Sequence, residues 1–332
     1  MALTRPNSTI FARPDLALMA TAAIAGVAGL AIANRILPPV NVTGRTGEIW
    51  KMKAESLGQV SPAAREPGSG YARVNTKFDR TTFMTQEYGL EEPIPDENRS
   101  EFGSVLAGDS AVATRLIDQL VRLREARVAA LCINETTYPV SGATGVTVGT
   151  AWTSASATPV ANVNTAIENI RKRTGAHRSQ MRLVIPQPTF DLLPQVTDFI
   201  TKMKLDSQGL SAEQMPALVA QYFGIGGIDV GGLTYNAAID GQTESWSDIW
   251  NKNYCFLYVP MQGEPRASED TIDARFAGLG ISPRWVEQDS GNYNVETYRD
   301  ELTRTDVVRA RENIDEFPVH TVYGNLIKAV NP

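Results

Sequence analysis

From Asp109 to Asn134 the sequence runs DSAVATRLIDQLVRLREARVAALCIN without a single Gly or Pro. A run of good helix formers this long predicts one rod of roughly 39 Å at ~1.5 Å rise per residue. Asp109 or Ser110 is placed to cap it, accepting a bond from a first-turn N–H that has no partner inside the helix. Leu116, Leu120 and Leu123 form an apolar stripe, widened by Ala113, Ile117 and Ala130. Such a rod spans a whole small domain, so the rest of the chain must arrange itself along it.

What precedes the rod reads as extended. Leu16–Ala33 (LALMATAAIAGVAGLAIA) is an Ala-rich arm that ends in IANRILPPVNV. Its 18 nearly apolar residues, with Arg5 and Arg13 before them and a small-x-small ending at Ala31 and Ala33, have the outline of an export signal. The run is short and rich in Ala and Gly for a membrane span, and Asp15 directly precedes it. A helix packed on protein is therefore the expectation, with export or membrane anchoring as the alternative. Glu48–Leu57 and Tyr71–Thr85 read as two extended limbs joined by the turn-rich tip SPAAREPGSG. A hairpin with charges on both limbs and nothing to pack on at its tip needs a partner surface. EYGLEEPIPDENRS, with Pro93 and Pro95, is an extended connector into the rod.

Beyond the rod, Tyr138–Pro159 reads as loop and short strand. Val160–Thr174 reads as a helix stopped by Gly175, Arg182–Pro186 as a buried strand, and Thr189–Lys204 as a helix with Pro194 near a break. Ala212–Phe223 is a further helix closed by Gly224. Ile228–Val230, Tyr254–Val259 and the Trp246–Trp250 corner alternate strand and loop, which points to a small α/β unit around a central sheet. In the tail, Ser282–Glu287, Asn292–Asp300 and Phe317–Ile327 read as strands around a charged linker, forming a second sheet with one packed face.

At 332 residues the chain can bury one large core or two ordinary ones. Its net charge of −6 is unevenly spread: residues 1–80 hold 10 Lys/Arg against 5 Asp/Glu, and residues 81–332 hold 21 against 32. Opposite potentials of this kind help an extended basic segment dock on an acidic body. Nothing is basic enough for sequence-specific nucleic-acid binding. Cys132 and Cys255 cannot make a disulfide framework and fit buried sites in a reducing compartment.

Catalytic chemistry is hard to place. His177 and His320 are the two histidines, and no CxxC, HExxH or GxSxG pattern exists. The run GIGGIDVGG (Gly224–Gly232) resembles a dinucleotide loop, but it follows a helix, and Asp229 stands where the third glycine belongs. Glu87, Glu91, Glu92, Asp96 and Glu97 cluster in the connector, where solvated charge explains them better than an acid/base pair. No catalytic, cofactor-binding or metal-ligating residue is assigned.

Three stretches together resemble the major capsid proteins of tailed phages, with the Hong Kong 97-like fold. They are IANRILPPVNV (Ile32–Val42); EYGLEEPIPDEN (Glu87–Asn98) leading to the RLREARVAAL core of the rod; and GLTYNAAIDG with SDIWNKNYCFLYV, followed by VETYRDELTRTDVVR (Val295–Arg309). The resemblance implies an α+β capsid fold: an N-terminal arm (1–42) and an extended β-hairpin loop (43–86). It further implies a peripheral domain (87–154 and 266–332) with a long spine helix (109–134) and a β-sheet, and an axial α/β domain (155–265). It implies a virion structural protein, not an enzyme, assembled in the host cytoplasm. Copies would associate as pentamers and hexamers into an icosahedral head around double-stranded DNA, held without sequence-specific binding and without a membrane.

About 30 residues precede Ile32, too few for a fused scaffold, so a separate scaffolding protein is expected, with a portal and a decoration protein as further partners. Lys51, Lys53, Lys77 and Asn313 show no environment diagnostic of the Lys–Asn cross-links some relatives form. An encapsulin-type nanocompartment and, in a different class, a nucleotide-binding enzyme using GIGGIDVGG are the alternative readings.

Overall fold

The computed structural model describes residues 11–53, 75–98, 108–142, 144–203, 214–238, 241–261, 266–268, 271–273, 278–286 and 292–332, with isolated positions between 56 and 73. In chain order the arm contributes β1 (Phe11–Ala12), α1 (Pro14–Ala23), α2 (Ala25–Leu30), α3 (Ala33–Ile36) and β2 (Pro39–Val42). Then come β3 (Thr46–Met52), β4 (Phe78–Met84), β5 (Gln86–Pro95) and the rod α4 (Asp109–Cys132). The next region holds β6 (Gly145–Thr147), α5 (Pro159–Thr174), β7 (Arg182–Pro186), α6 (Gln187–Phe190), α7 (Thr197–Met203), α8 (Met215–Phe223) and β8 (Gly227–Gly231). The short strands β9 (Thr234–Asn236) and β10 (Trp246–Asp248) precede β11 (Tyr254–Tyr258), β12 (Arg266–Ser268) and β13 (Thr271–Asp273). The tail adds β14 (Ser282–Trp285), β15 (Asn294–Asp300), β16 (Thr305–Ile314) and β17 (Gly324–Lys328).

The rod forms, two residues shorter at its C-terminus than expected. Its N-cap is Gly108, in extended backbone (φ −77°, ψ 145°), rather than Asp109 or Ser110. Asp109 instead occupies the first turn, where a carboxylate complements the helix dipole. The apolar stripe also needs correction, because Leu123 is 47% exposed and Ala130 is exposed. Past Leu120 the buried face runs through Val121, Arg124, Glu125, Val128, Ala129 and Cys132, and the 3.6-residue period leaves position 123 outside it.

A six-stranded sheet, ordered β1-β15-β16-β14-β2 with β5 also on β16, lies against the rod. At its centre is β16, which pairs with β5 at every position from Thr305↔Pro95 to Ile314↔Gln86 and with β15 from Thr305 to Arg311. The sequence reading made this DVVRARENI segment a charged linker. It is a central strand because Val308 and Ala310 face the rod while Arg309 and Arg311, on the other face, are ion-paired from both neighbouring strands. One core joins the rod's Val112, Leu116, Ile117 and Leu120 to Val295 and Val308 of the sheet and to Leu16, Ala17, Ala20 and Ile24 of the arm. Each such Val, Leu or Ile side chain contributes about 1.5–3 kcal/mol on burial. The Leu16–Ala33 stretch is thus two helices packed on protein, and among the described residues no helix is long and apolar enough to cross a membrane.

The second sheet is mixed and five-stranded, ordered β6-β17-β11-β7-β8. Helices α5 and α8 cover it through Val163, Ile167, Val219 and Phe223, which meet Leu183, Ile185 and Leu257. Gly175 (φ 72°) and Gly224 (φ 65°) close these helices in the left-handed region, as their positions in the sequence imply. Of the expected helix Ala212–Phe223, residues 212–213 lie outside the described residues. The expected helix Thr189–Lys204 is broken into α6, a 3-10 turn at Leu193–Gln195 and α7, because Pro194 has no N–H to continue the ladder. Phe317–Ile327 is not one strand of the tail sheet. Phe317 makes a bridge to Ile281, Thr321–Tyr323 is a 3-10 turn, and β17 crosses to pair with β11 and β6. Four consecutive buried positions in β17, with Leu326 and Ile327 packed into different cores, explain the crossing: both of its faces need covering, and the centre of the second sheet provides that.

The predicted hairpin limbs are β3 and β4, paired from Thr46↔Met84 to Met52↔Phe78, with β13 parallel on the other side of β3. Its tip, SPAAREPGSG, lies outside the described residues but for isolated positions.

Candidate functional site

Two buried carboxylates hold the arm in place. Glu125 of α4 is fully buried and accepts hydrogen bonds from the Ala33 N–H (2.9 Å), the Ile32 N–H (3.1 Å) and Trp250 Nε1 (2.6 Å). It thereby satisfies first-turn donors of α3 from another part of the chain. Burial raises its pKa, and the hydrogen bonds from Trp250, Ala33 and Ile32 act in the opposite direction. Asp229 of β8, also fully buried, takes two bonds from Arg182 (2.6 and 2.7 Å), one from the Tyr258 hydroxyl (2.8 Å) and one from Arg35 of the arm (3.4 Å). Between these anchors Ile32, Ala33, Ile36 and Leu37 pack in one core with the rod's Val128, Ala129 and Cys132 and with Val184, Phe256 and Leu326 of the second sheet.

The hairpin contrasts with this. One face is rooted: Ile49 and Phe83 pack with Val40, Val42, Ile272, Ile281 and Val319. Paired residues of an antiparallel ladder point to the same side, so the register puts Trp50, Met52, Phe78, Arg80 and Met84 together on the other face. There Trp50, Phe78 and Met84 are 39%, 45% and 61% exposed, with the Arg80–Glu48 ion pair (3.2 Å) among them. Large apolar side chains lined up on an exposed strand mark a surface built to be covered.

The positions that sequence reasoning weighed for chemistry have structural explanations. GIGGIDVGG is mostly strand β8, and its glycines are close-packing sites. A Cβ on Gly226 would lie 2.1 Å from the Ser179 carbonyl oxygen, and one on Gly231 would lie 2.4 Å from Trp250 Cδ1. His177 caps the 3-10 turn Arg178–Gln180. His320 is buried beside Tyr323, and burial with the nearby Lys51 charge lowers its pKa to about 4. Of the connector carboxylates, Glu87, Glu91, Glu92 and Asp96 form ion pairs with Arg311, Arg309, Arg115 and Arg299, while Glu97 is exposed. Lys51 Nζ donates to the Val319 carbonyl (3.3 Å), and Asn313 is buried. Cys132 and Cys255 are buried and their thiol pKa values are raised by desolvation. Among the described residues no cluster of His, Cys, Asp and Glu could hold a metal ion. Sequence reasoning missed the roles of Glu125 and Asp229; a lone carboxylate in GIGGIDVGG was the signal available for Asp229, while Glu125, among Arg122, Arg124 and Arg127, looks like one more surface charge.

No protein-family model and no curated protein matches the chain by sequence. Solved structures do. A phage-related protein from Bordetella bronchiseptica RB50 superposes with a TM-score of 0.64 at 16% identity, over 95% of this chain and 97% of that one. The capsid of the native GTA particle gives 0.55 at 12% identity, over 91% and 90%. The mature capsid of bacteriophage PhiM1 gives 0.53 at 12% identity, over 90% and 87%. The likeness covers 90–95% of this chain in all three. This chain has the α+β fold of phage capsid proteins, the Hong Kong 97-like fold.

Proposed function

We propose that this chain is a major capsid protein, the shell subunit of an icosahedral phage head that encloses double-stranded DNA. The observation that carries the reading is the hairpin: one face is rooted in the subunit's own core, and the other holds Trp50, Phe78 and Met84 out to solvent. A subunit that exposes such a surface and closes none of it internally is suited to head-to-tail contacts, which close into rings. Pentamers and hexamers built this way gain stability from many weak contacts acting together. In this reading the six-stranded sheet and rod belong to the peripheral domain (87–154 and 266–332), and residues 43–86 strap onto a neighbour. The elements α5, β7, α8, β8 and β11 belong to the axial domain (155–265), whose sheet is completed by β6 and β17 from the peripheral segments. A separate scaffolding protein, a portal and a decoration protein are the partners such a shell calls for. The shell sits in the virion, and the chain's role is structural rather than catalytic.

The test is the double variant Phe78→Ser with Met84→Ser. Both side chains are exposed in the subunit, so its unfolding free energy should stay within about 0.5 kcal/mol of wild type, while closed particles should be absent by electron microscopy. Normal particles from this variant would refute the role given to the hairpin. The nucleotide-binding alternative is disfavoured, because Gly227–Gly231 is a sheet strand rather than a loop before a helix, and Gly226 and Gly231 pack directly on Ser179 and Trp250.

A further inference from the structure

Past Leu120 the interface between the rod and the six-stranded sheet changes from apolar to charged. The rod contributes Arg124 and Arg127, β14 contributes Arg284, and β16 contributes Glu312, with Glu316 just beyond it. Arg124, Arg284 and Glu312 are only 3%, 4% and 2% exposed. Arg127 is well matched: its Nη2 lies 2.7 Å from Glu316 and 3.3 Å from Glu312, and its guanidinium stacks 3.6 Å over the Tyr88 ring. Arg284 donates to Asn292 Oδ1 (2.7 Å) and stands 3.9 Å from Glu312. Among the described residues Arg124 Nε and Nη2 and Arg284 Nε have no hydrogen-bond partner, and neither has Glu312 Oε2, which at 3.9 Å from Arg284 Nη2 can satisfy at most part of them. Three guanidiniums therefore share two carboxylates, and the donors left over belong to the two most buried arginines.

A buried cation without acceptors is among the costliest groups a fold can hold, and a guanidinium fork is the geometry that matches the oxygens of an oxyanion. We propose that Arg124 and Arg284 form a buried binding site for one small oxyanion, a phosphate-type ion or a carboxylate. One such group supplies acceptors for the unpaired N–H donors and the single negative charge by which the described residues of the cluster fall short. Burial first, and the Arg284 charge second, lower the pKa of Arg124. The site involves no residue of the hairpin and does not rest on the capsid reading.

The test is thermal unfolding of the full chain, as unassembled subunit, in chloride, in inorganic phosphate and in acetate at constant pH and ionic strength. Saturating oxyanion should raise Tm by roughly 3–6 °C over chloride. A rise in phosphate identifies a free phosphate-type ion as the occupant, and a rise confined to acetate identifies a carboxylate, as a side chain of another chain would supply. Arg124→Met and Arg284→Met should each abolish the rise. Glu312→Gln should enlarge it, since it removes the competing negative charge; a merely structural role for Glu312 would not produce that gain. Equal Tm in all three salts for wild type, or a rise that survives both arginine substitutions, overturns the proposal.

Discussion

Glu125 sits at the one point where the arm, the rod and Trp250 meet, and it is buried there with its charge facing three N–H donors. Glu125→Gln keeps the size but turns one acceptor into a donor, leaving at least one buried N–H unmatched. It should cost about 1–3 kcal/mol in urea unfolding, and a loss below 0.5 kcal/mol would mean the arm is held by apolar contacts alone. His320 sets a pH dependence. Its folded pKa, about 4, lies below the ordinary 6.5, so its neutral form is the one the fold accepts. Its contribution is complete above pH 6.5 and drains away as pH falls towards 4, at up to about 1.4 kcal/mol per pH unit. His320→Gln should flatten the fall of unfolding free energy across that window, and an unchanged slope would count against the burial given to His320. Neither role was legible in the sequence. The partners of Glu125 lie 92 to 125 residues away, and no local pattern announces that three donors converge on one carboxylate.

Elements were legible where their signals are local. The rod has no breaker for over twenty residues, and α5 and α8 end at glycines whose left-handed φ values need them. The hairpin limbs alternate with a turn-rich tip between them. Elements whose stability is supplied from elsewhere were not legible. The clearest case is β16, whose charges read as linker until Glu91 and Glu296 neutralise them from strands over 200 residues upstream and about 15 residues upstream. The same distinction separates two leucines of the rod. Leu120→Asp puts an unpaired charge into a fully buried site and should cost on the order of 3–5 kcal/mol in chemical denaturation. Leu123→Asp, half exposed in the subunit, should stay within about 0.5 kcal/mol. Similar losses from both would mean the rod is rotated from the packing described.

Across the whole molecule the arm acts as the joint. Ile32–Leu37 packs on both the rod and the second sheet, and Glu125 and Asp229 pin its backbone and Arg35, so the two sheets are tied through a segment that neither sheet contains. Apolar surface is left open on the hairpin, at Trp50, Phe78 and Met84, and on the outer side of α1, at Leu18 and Met19. An interior closed this firmly, beside apolar surface left this open, is what a subunit of a larger shell requires. The most direct measurement is electron microscopy, with nucleic-acid analysis, of the protein isolated from its native source. The account predicts uniform icosahedral particles hundreds of ångströms across that contain double-stranded DNA. Particles filled with protein cargo would point instead to a nanocompartment, and monomers or small oligomers at high concentration, with scaffold present, would contradict the shell role itself.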